Sequence, residues 1–128
     1  MYEIVVGGDV FGREDKTGLY KIPDPVTARH KFREILLAQL IEWAMGEANW
    51  EPMALTYNGK PIVVIRTPKD AINYLGKTVV MKYLEKLRKE IEGSDEIIEK
   101  VMAKIESLGY DPPNYEEAKR IVRLLWSK

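Results

Sequence analysis

The chain has 128 residues, 20 basic and 20 acidic side chains, a formal net charge of zero and no cysteine. A neutral total creates no global field toward nucleic acid or membrane, and the lack of cysteine excludes disulfides, thiolate metal sites and cysteine catalysis. An apolar fraction of 45% beside 31% charged residues describes one globular domain, residues 1–128, able to bury a core without covalent or metal staples.

"MYEIVV" lacks the charged start, long apolar run and small-residue cleavage site of a signal peptide. "ILLAQLIEWAM" is interrupted by Gln39 and Glu42 and is too short to span a bilayer. The expectation is a cytoplasmic protein with no membrane partner. One Gln and four Asn beside abundant Lys and Glu make a composition enriched in proteins of hyperthermophiles.

In chain order, "YEIVV" (2–6) predicts a strand stopped by Gly7-Gly8, and "LYKI" (19–22) its partner. Asp24 as N-cap and Pro25 at the first helical position open a helix over about 25–47. Its apolar residues point almost all round, which predicts burial on every side, inside the domain or across a subunit contact. "MALTY" and "PIVVIR" flank Asn58-Gly59, a strong hairpin signal because both turn positions need positive φ. Thr67, Pro68 and Asp70 then start a second long helix, expected to run to Gly93. Ser94 caps a third helix with a stripe of Ile97, Ile98, Val101, Met102, Ile105 and Leu108. Beyond Gly109 and Pro112-Pro113, Asn114 and Glu117 form a capping box for a last helix, about 115–126.

The expected fold is α+β, in the order ββαββααα. A small, mainly antiparallel sheet of two hairpins is packed by two long helices and joined by a C-terminal helical pair. The units are ββα 1–50, ββα 51–93 and the pair 94–128. Whether the two ββα units are a duplication or share only capping grammar stays open.

"AINYLGKT" (71–78) resembles a loosened phosphate-binding loop, with Ala71 in place of the first glycine. Such a loop needs glycines whose N–H groups converge on phosphate, whereas Ile72 and Leu75 favour burial. Ile72, Leu75, Val79, Val80, Tyr83, Leu84, Leu87 and Ile91 also fall within one half of a helical wheel, running unbroken through Gly76. One continuous helix is therefore expected, with Gly76 allowing close backbone packing.

"TPKDAINYLGKT" (67–78) also resembles the opening of the excisionase-type and MerR-type helix-turn-helix, in which a short helix ends in Leu-Gly before the recognition helix. Those families place apolar residues after the glycine and along the second helix, where this chain has Lys77, Lys82 and Glu85. No functional residue carries over. "GGDVF" (7–11) resembles the turn signature of diguanylate cyclases, with Val10 where the family has an acid and only six residues before Gly7. It reads as turn chemistry and not a metal site.

His30 is the only histidine, and its position on the first helix reads as solvated. Asp9, Glu14, Asp15 and Asp24 lie among Arg13, Lys16 and Lys21, a mixed-sign loop. No catalytic constellation, metal set or cofactor motif assembles, so a non-enzymatic protein without cofactor is expected.

The charge distribution is more informative. Residues 60–89 hold eight basic and two acidic side chains, a net of +6, and each flank carries −3. Lys82, Lys86 and Lys89 recur at i, i+4 and i+7; with Lys60, Arg66 and Lys77 they form a candidate stripe for nucleic-acid phosphates. The alternative is a solvated face balanced by the third helix, with Glu92, Glu96 and Glu99 as partners. A second function class is a self-associating or protein-binding subunit, whose candidate contacts are Trp43, Leu124 and Trp126.

Overall fold

The computed structural model describes residues 1–7 and 17–108, with side chains left out for 17–19. The segment around Asp9 and the last expected helix, with Leu124 and Trp126, lie outside the described residues. Four strands form one sheet: β1 (Tyr2–Val6), β2 (Thr17–Ile22), β3 (Met53–Tyr57) and β4 (Lys60–Ile65). The helices are α1 (Pro25–Ala44), α2 (Pro68–Leu75), α3 (Lys77–Glu90) and α4 (Asp95–Ser107). The class is α+β and the element order ββαββααα, as expected.

All strand pairs are antiparallel and the spatial order is β2-β1-β3-β4. This order is symmetric about the central β1–β3 pair, where Ile4 lies opposite Leu55. Each hairpin therefore contributes one inner and one outer strand. Asn58 and Gly59 take φ values of 49° and 82°, the positive pair that a two-residue turn of this twist demands.

Alternation along the strands divides the sheet into two faces. Ile4, Met53, Leu55 and Ile65 share one face and join the core with Ala28, Phe32, Leu36 and Leu40 of α1. These α1 positions, with Ala44, step by four and are all buried, which makes a single stripe down the helix. α1 lies on β1, β2 and β3, and also touches α2 and α4. The expected burial on every side is not seen, because the sheet covers one side of the helix. Ile35, Leu37, Ile41 and Trp43 are only partly buried against the core, and Val26, Arg29, His30, Glu34, Ala38 and Glu42 are exposed.

Asp24 caps α1, its carboxylate accepting from the Thr27 backbone N–H at 2.7 Å and from the Thr27 hydroxyl at 2.7 Å. Thr67 caps α2, its hydroxyl accepting from the Asp70 N–H at 3.1 Å. Along the α1–α2 seam the Phe32 and Tyr74 rings meet edge to face, 5.7 Å apart.

The expected continuous second helix is two helices. Gly76 closes α2 and opens α3 with φ 89° and ψ 123°. Its N–H donates to Ile72 O at 2.8 Å, while its carbonyl accepts from the Val80 N–H at 3.1 Å. A Cβ at Gly76 would meet only Val79 Cγ2, at 3.7 Å. Backbone conformation is therefore what glycine supplies here, and not the close packing expected of it.

The break also re-phases the apolar residues. Ile72, Leu75, Val80 and Leu84 are buried, whereas Val79 is 51% and Tyr83 38% exposed. α3 has left the direction set by α2 and packs on α4. The third expected helix is α4, with two departures from its reading. Ser94 does not cap it, because its hydroxyl donates to Ile91 O at 2.7 Å. Ile97 is 48% exposed and stands outside the buried stripe of Ile98, Val101 and Ile105.

Candidate nucleic-acid interface

Lys77, Lys82, Lys86 and Lys89 come together along one flank of α3, where they line a groove of about 620 Å³. Met81 of α3 and Met102 of α4 supply its apolar surface. The spacing follows from helix geometry: Lys82, Lys86 and Lys89 span about 10 Å along the axis at 1.5 Å per residue. Val80 and Leu84 anchor the opposite side of α3 in the interior, which holds the lysine flank outward.

Not every cation of the expected stripe joins this row. Lys60 begins β4 beside the hairpin turn, and Arg66 follows its last residue. Six strand residues put them about 20 Å apart, at opposite ends of an edge strand that α2, and not α3, packs against. Lys60 and Arg66 are exposed, but neither lines the groove.

Ion pairs decide how much of this charge is available. Lys77 is committed, with Nζ 2.6 Å from Glu106 of α4. Lys86 lies 3.8 Å from Glu90, one turn along its own helix. Glu85, also on the groove, lies 3.6 Å from Arg88, which reaches Asp95 at 3.9 Å. Lys82 and Lys89 make no ion pair among the described residues. Glu92, Glu96 and Glu99, the expected balancing partners, pair with none of these lysines; the α4-side acids in use are Glu106 and Asp95. Exposed pairs such as Lys86–Glu90 contribute little in water and leave the ammonium free to exchange partners.

His30 is exposed on α1, as its helical position implies. Among the described residues, no group of three or more His, Asp or Glu side chains converges as a metal site would require. No described helix is long and apolar enough to cross a membrane.

Trp43, read from sequence as spare aromatic surface, is half-buried. Its ring meets Trp50 edge to face at 6.3 Å and lies under the Lys104 ammonium at 5.2 Å. Apolar exposure is spread over the described residues, on Met1, Tyr20, Val26, Tyr57 and Ile62 as well as on Val79, Tyr83, Ile91 and Ile97. The apolar groove was missed in the sequence because Met81 and Met102 meet only once Gly76 has turned α3 onto α4. Met81 precedes Lys82 directly, but nothing in the spacing pairs it with a residue of the next helix.

The chain matches no protein-family model, no curated protein and no solved structure at a significant level.

Proposed function

We propose that this protein is a non-enzymatic binding protein whose working surface is the lysine flank of α3 and whose ligand is the phosphate backbone of nucleic acid. One observation carries the reading: among the described residues Lys82 and Lys89 make no ion pair, although an acidic helix packs beside them. Two such lysines on one groove concentrate positive potential there, the electrostatic footprint that phosphate backbones recognise. Formal neutrality of the whole chain does not oppose this, because charges more than about 10 Å away are screened at ordinary salt.

The exposed apolar residues Val79, Tyr83, Ile91 and Ile97 support a second reading, a self-associating or protein-binding subunit. The two readings part in their salt dependence.

The test is fluorescence anisotropy with labelled DNA and RNA. Three or four lysine–phosphate contacts weaken duplex binding about 40- to 150-fold between roughly 50 and 200 mM salt. Lys82→Glu, Lys86→Glu and Lys89→Glu together abolish that binding, while circular dichroism and thermal unfolding stay close to those of the parent. Binding that is insensitive to salt, or that survives the triple reversal, rules the lysine flank out as the phosphate site.

A further inference from the structure

A second recess, of about 360 Å³, opens on α4 between the end of α1 and the segment that leads into β3. Its chemistry differs from that of the α3 groove. Trp43 and Trp50 stand almost perpendicular, at 85°, and form an aromatic corner. Lys100 and Lys104, one turn apart on α4, edge the recess, and Asn49 adds an amide. Among the described residues no carboxylate lines it.

Three features show that the corner is not fully used by the chain itself. The α1 carbonyls nearest the recess are already satisfied: the Gly46 N–H donates to Trp43 O at 3.0 Å and the Glu47 N–H to Glu42 O at 3.1 Å. The lysines are therefore not required to close the helix end. Lys100 makes no ion pair among the described residues, and Lys104 makes only its contact with the Trp43 ring. The Trp50 indole N–H is shut off from solvent and finds no acceptor among the described residues, as does the Gln39 amide nitrogen one turn before Trp43. The recess thus offers flat apolar faces, an amide and two cations, with no carboxylate among its described lining residues.

A ligand that completes such a site brings a planar ring and a negative charge at once. We infer that the Trp43–Trp50 recess holds one base of a nucleotide, with Lys100 and Lys104 meeting its phosphate, so that the strand held at this recess is single rather than duplex. The inference rests on the nucleic-acid reading for the identity of its ligand, and adds a site that α3 does not contain. Stacked bases in a duplex cannot reach an aromatic corner, whereas a single strand turns them outward, and every base has a π-face to offer. A free mononucleotide carries the same chemistry.

Tryptophan emission tests this directly. The chain has three tryptophans, so Trp126→Phe leaves Trp43 and Trp50 as the only indoles. In that background, emission and anisotropy are followed with a thymidine 12-mer, its base-free sugar–phosphate counterpart, duplex DNA and thymidine monophosphate. The expected result is saturable quenching by the 12-mer, with none by the duplex or the base-free strand. Trp50→Leu then weakens the 12-mer roughly 5- to 150-fold, the range for loss of one stacked base. Lys100→Glu with Lys104→Glu, both exposed positions, removes the quenching without putting the fold at risk. Quenching by the monophosphate at matching concentration assigns the recess to free nucleotide, and quenching by the 12-mer alone assigns it to a strand. Binding of the 12-mer with unchanged emission, or at undiminished affinity in both variants, overturns the inference and leaves the α3 reading standing. An affinity for the 12-mer that reversal of Lys82, Lys86 and Lys89 leaves unchanged removes the α3 reading and leaves the recess standing. If no probe binds, both fall.

Discussion

α1 and the α2–α3 pair leave their strands in the same way, through a side-chain cap and a proline at the first helical position, yet α1 runs for 20 residues and α2 for eight. α1 carries a buried position every fourth residue and lies across three strands, so each turn gains from continuing. α2 packs on the edge strand β4 and on α1, and its buried run ends at Leu75. At Gly76 the chain takes a conformation that other residues adopt only with strain, and α3 packs on α4 instead of following the sheet. One residue's backbone freedom has outweighed a side-chain period that spans eight positions. The consequence is functional geometry: a straight helix would not have set Met81 beside Met102 or opened a lysine-lined groove between two helices.

The contrast is broken most severely by substitutions that ask how much each helix holds the fold. Phe32 is fully buried against the sheet and meets Tyr74 edge to face. Phe32→Ala is expected to lower unfolding stability by about 3–5 kcal/mol in a urea titration. Tyr83→Ala on the exposed side of α3 is expected to change it by no more than about 0.5 kcal/mol. Similar losses at the two sites would mean that α3 is as central to the core as α1.

Gly76→Ala sharpens the comparison because the two descriptions of the region predict opposite signs. In a continuous helix, alanine in place of glycine would stabilise by up to about 1 kcal/mol. At the observed φ of 89°, alanine is expected to destabilise by about 1–3 kcal/mol through backbone strain. Crowding adds nothing, since the new Cβ would lie in ordinary contact with Val79. Thermal unfolding of this one variant reads the sign.

What could be read from residues alone follows the same division. Both hairpins, the Asn58-Gly59 turn, the proline caps and the order of elements rest on local chemistry, and such chemistry is legible one segment at a time. The break at Gly76 was hidden because Ile72, Leu75, Val80 and Leu84 keep a helical period on either side of it. Val79 and Tyr83 fit that period as well and are nevertheless exposed. The lysine row on α3 was legible because its members share one helix. Lys60 and Arg66 were drawn into it by nearness in sequence, which an edge strand of six residues undoes. The Trp43–Trp50 corner with Lys100 and Lys104 joins residues about 50 apart in the chain, and no spacing rule connects them.

The smallest expected effect separates the two helix starts by pH. Hydrogen bonds from the Thr27 hydroxyl and the Thr27 backbone N–H hold the Asp24 carboxyl below its ordinary value of 3.8. A group whose folded pKa is lowered stabilises the fold above its unfolded pKa, and loses that contribution as pH falls through the folded value. Thr67, whose hydroxyl caps α2, has no proton to gain in this range, so acid acts on the capping side chain of α1 and not on that of α2. Asp24→Asn keeps a capping oxygen that does not titrate. Other carboxylates titrate in both proteins and cancel in the difference between them. The parent is therefore expected to exceed Asp24→Asn in stability near neutral pH, with the gap closing below about pH 4. Urea unfolding followed between pH 7 and pH 2.5 measures that gap. A gap that widened toward acid would require Asp24 to be held in its protonated form, contrary to the two bonds it accepts from Thr27.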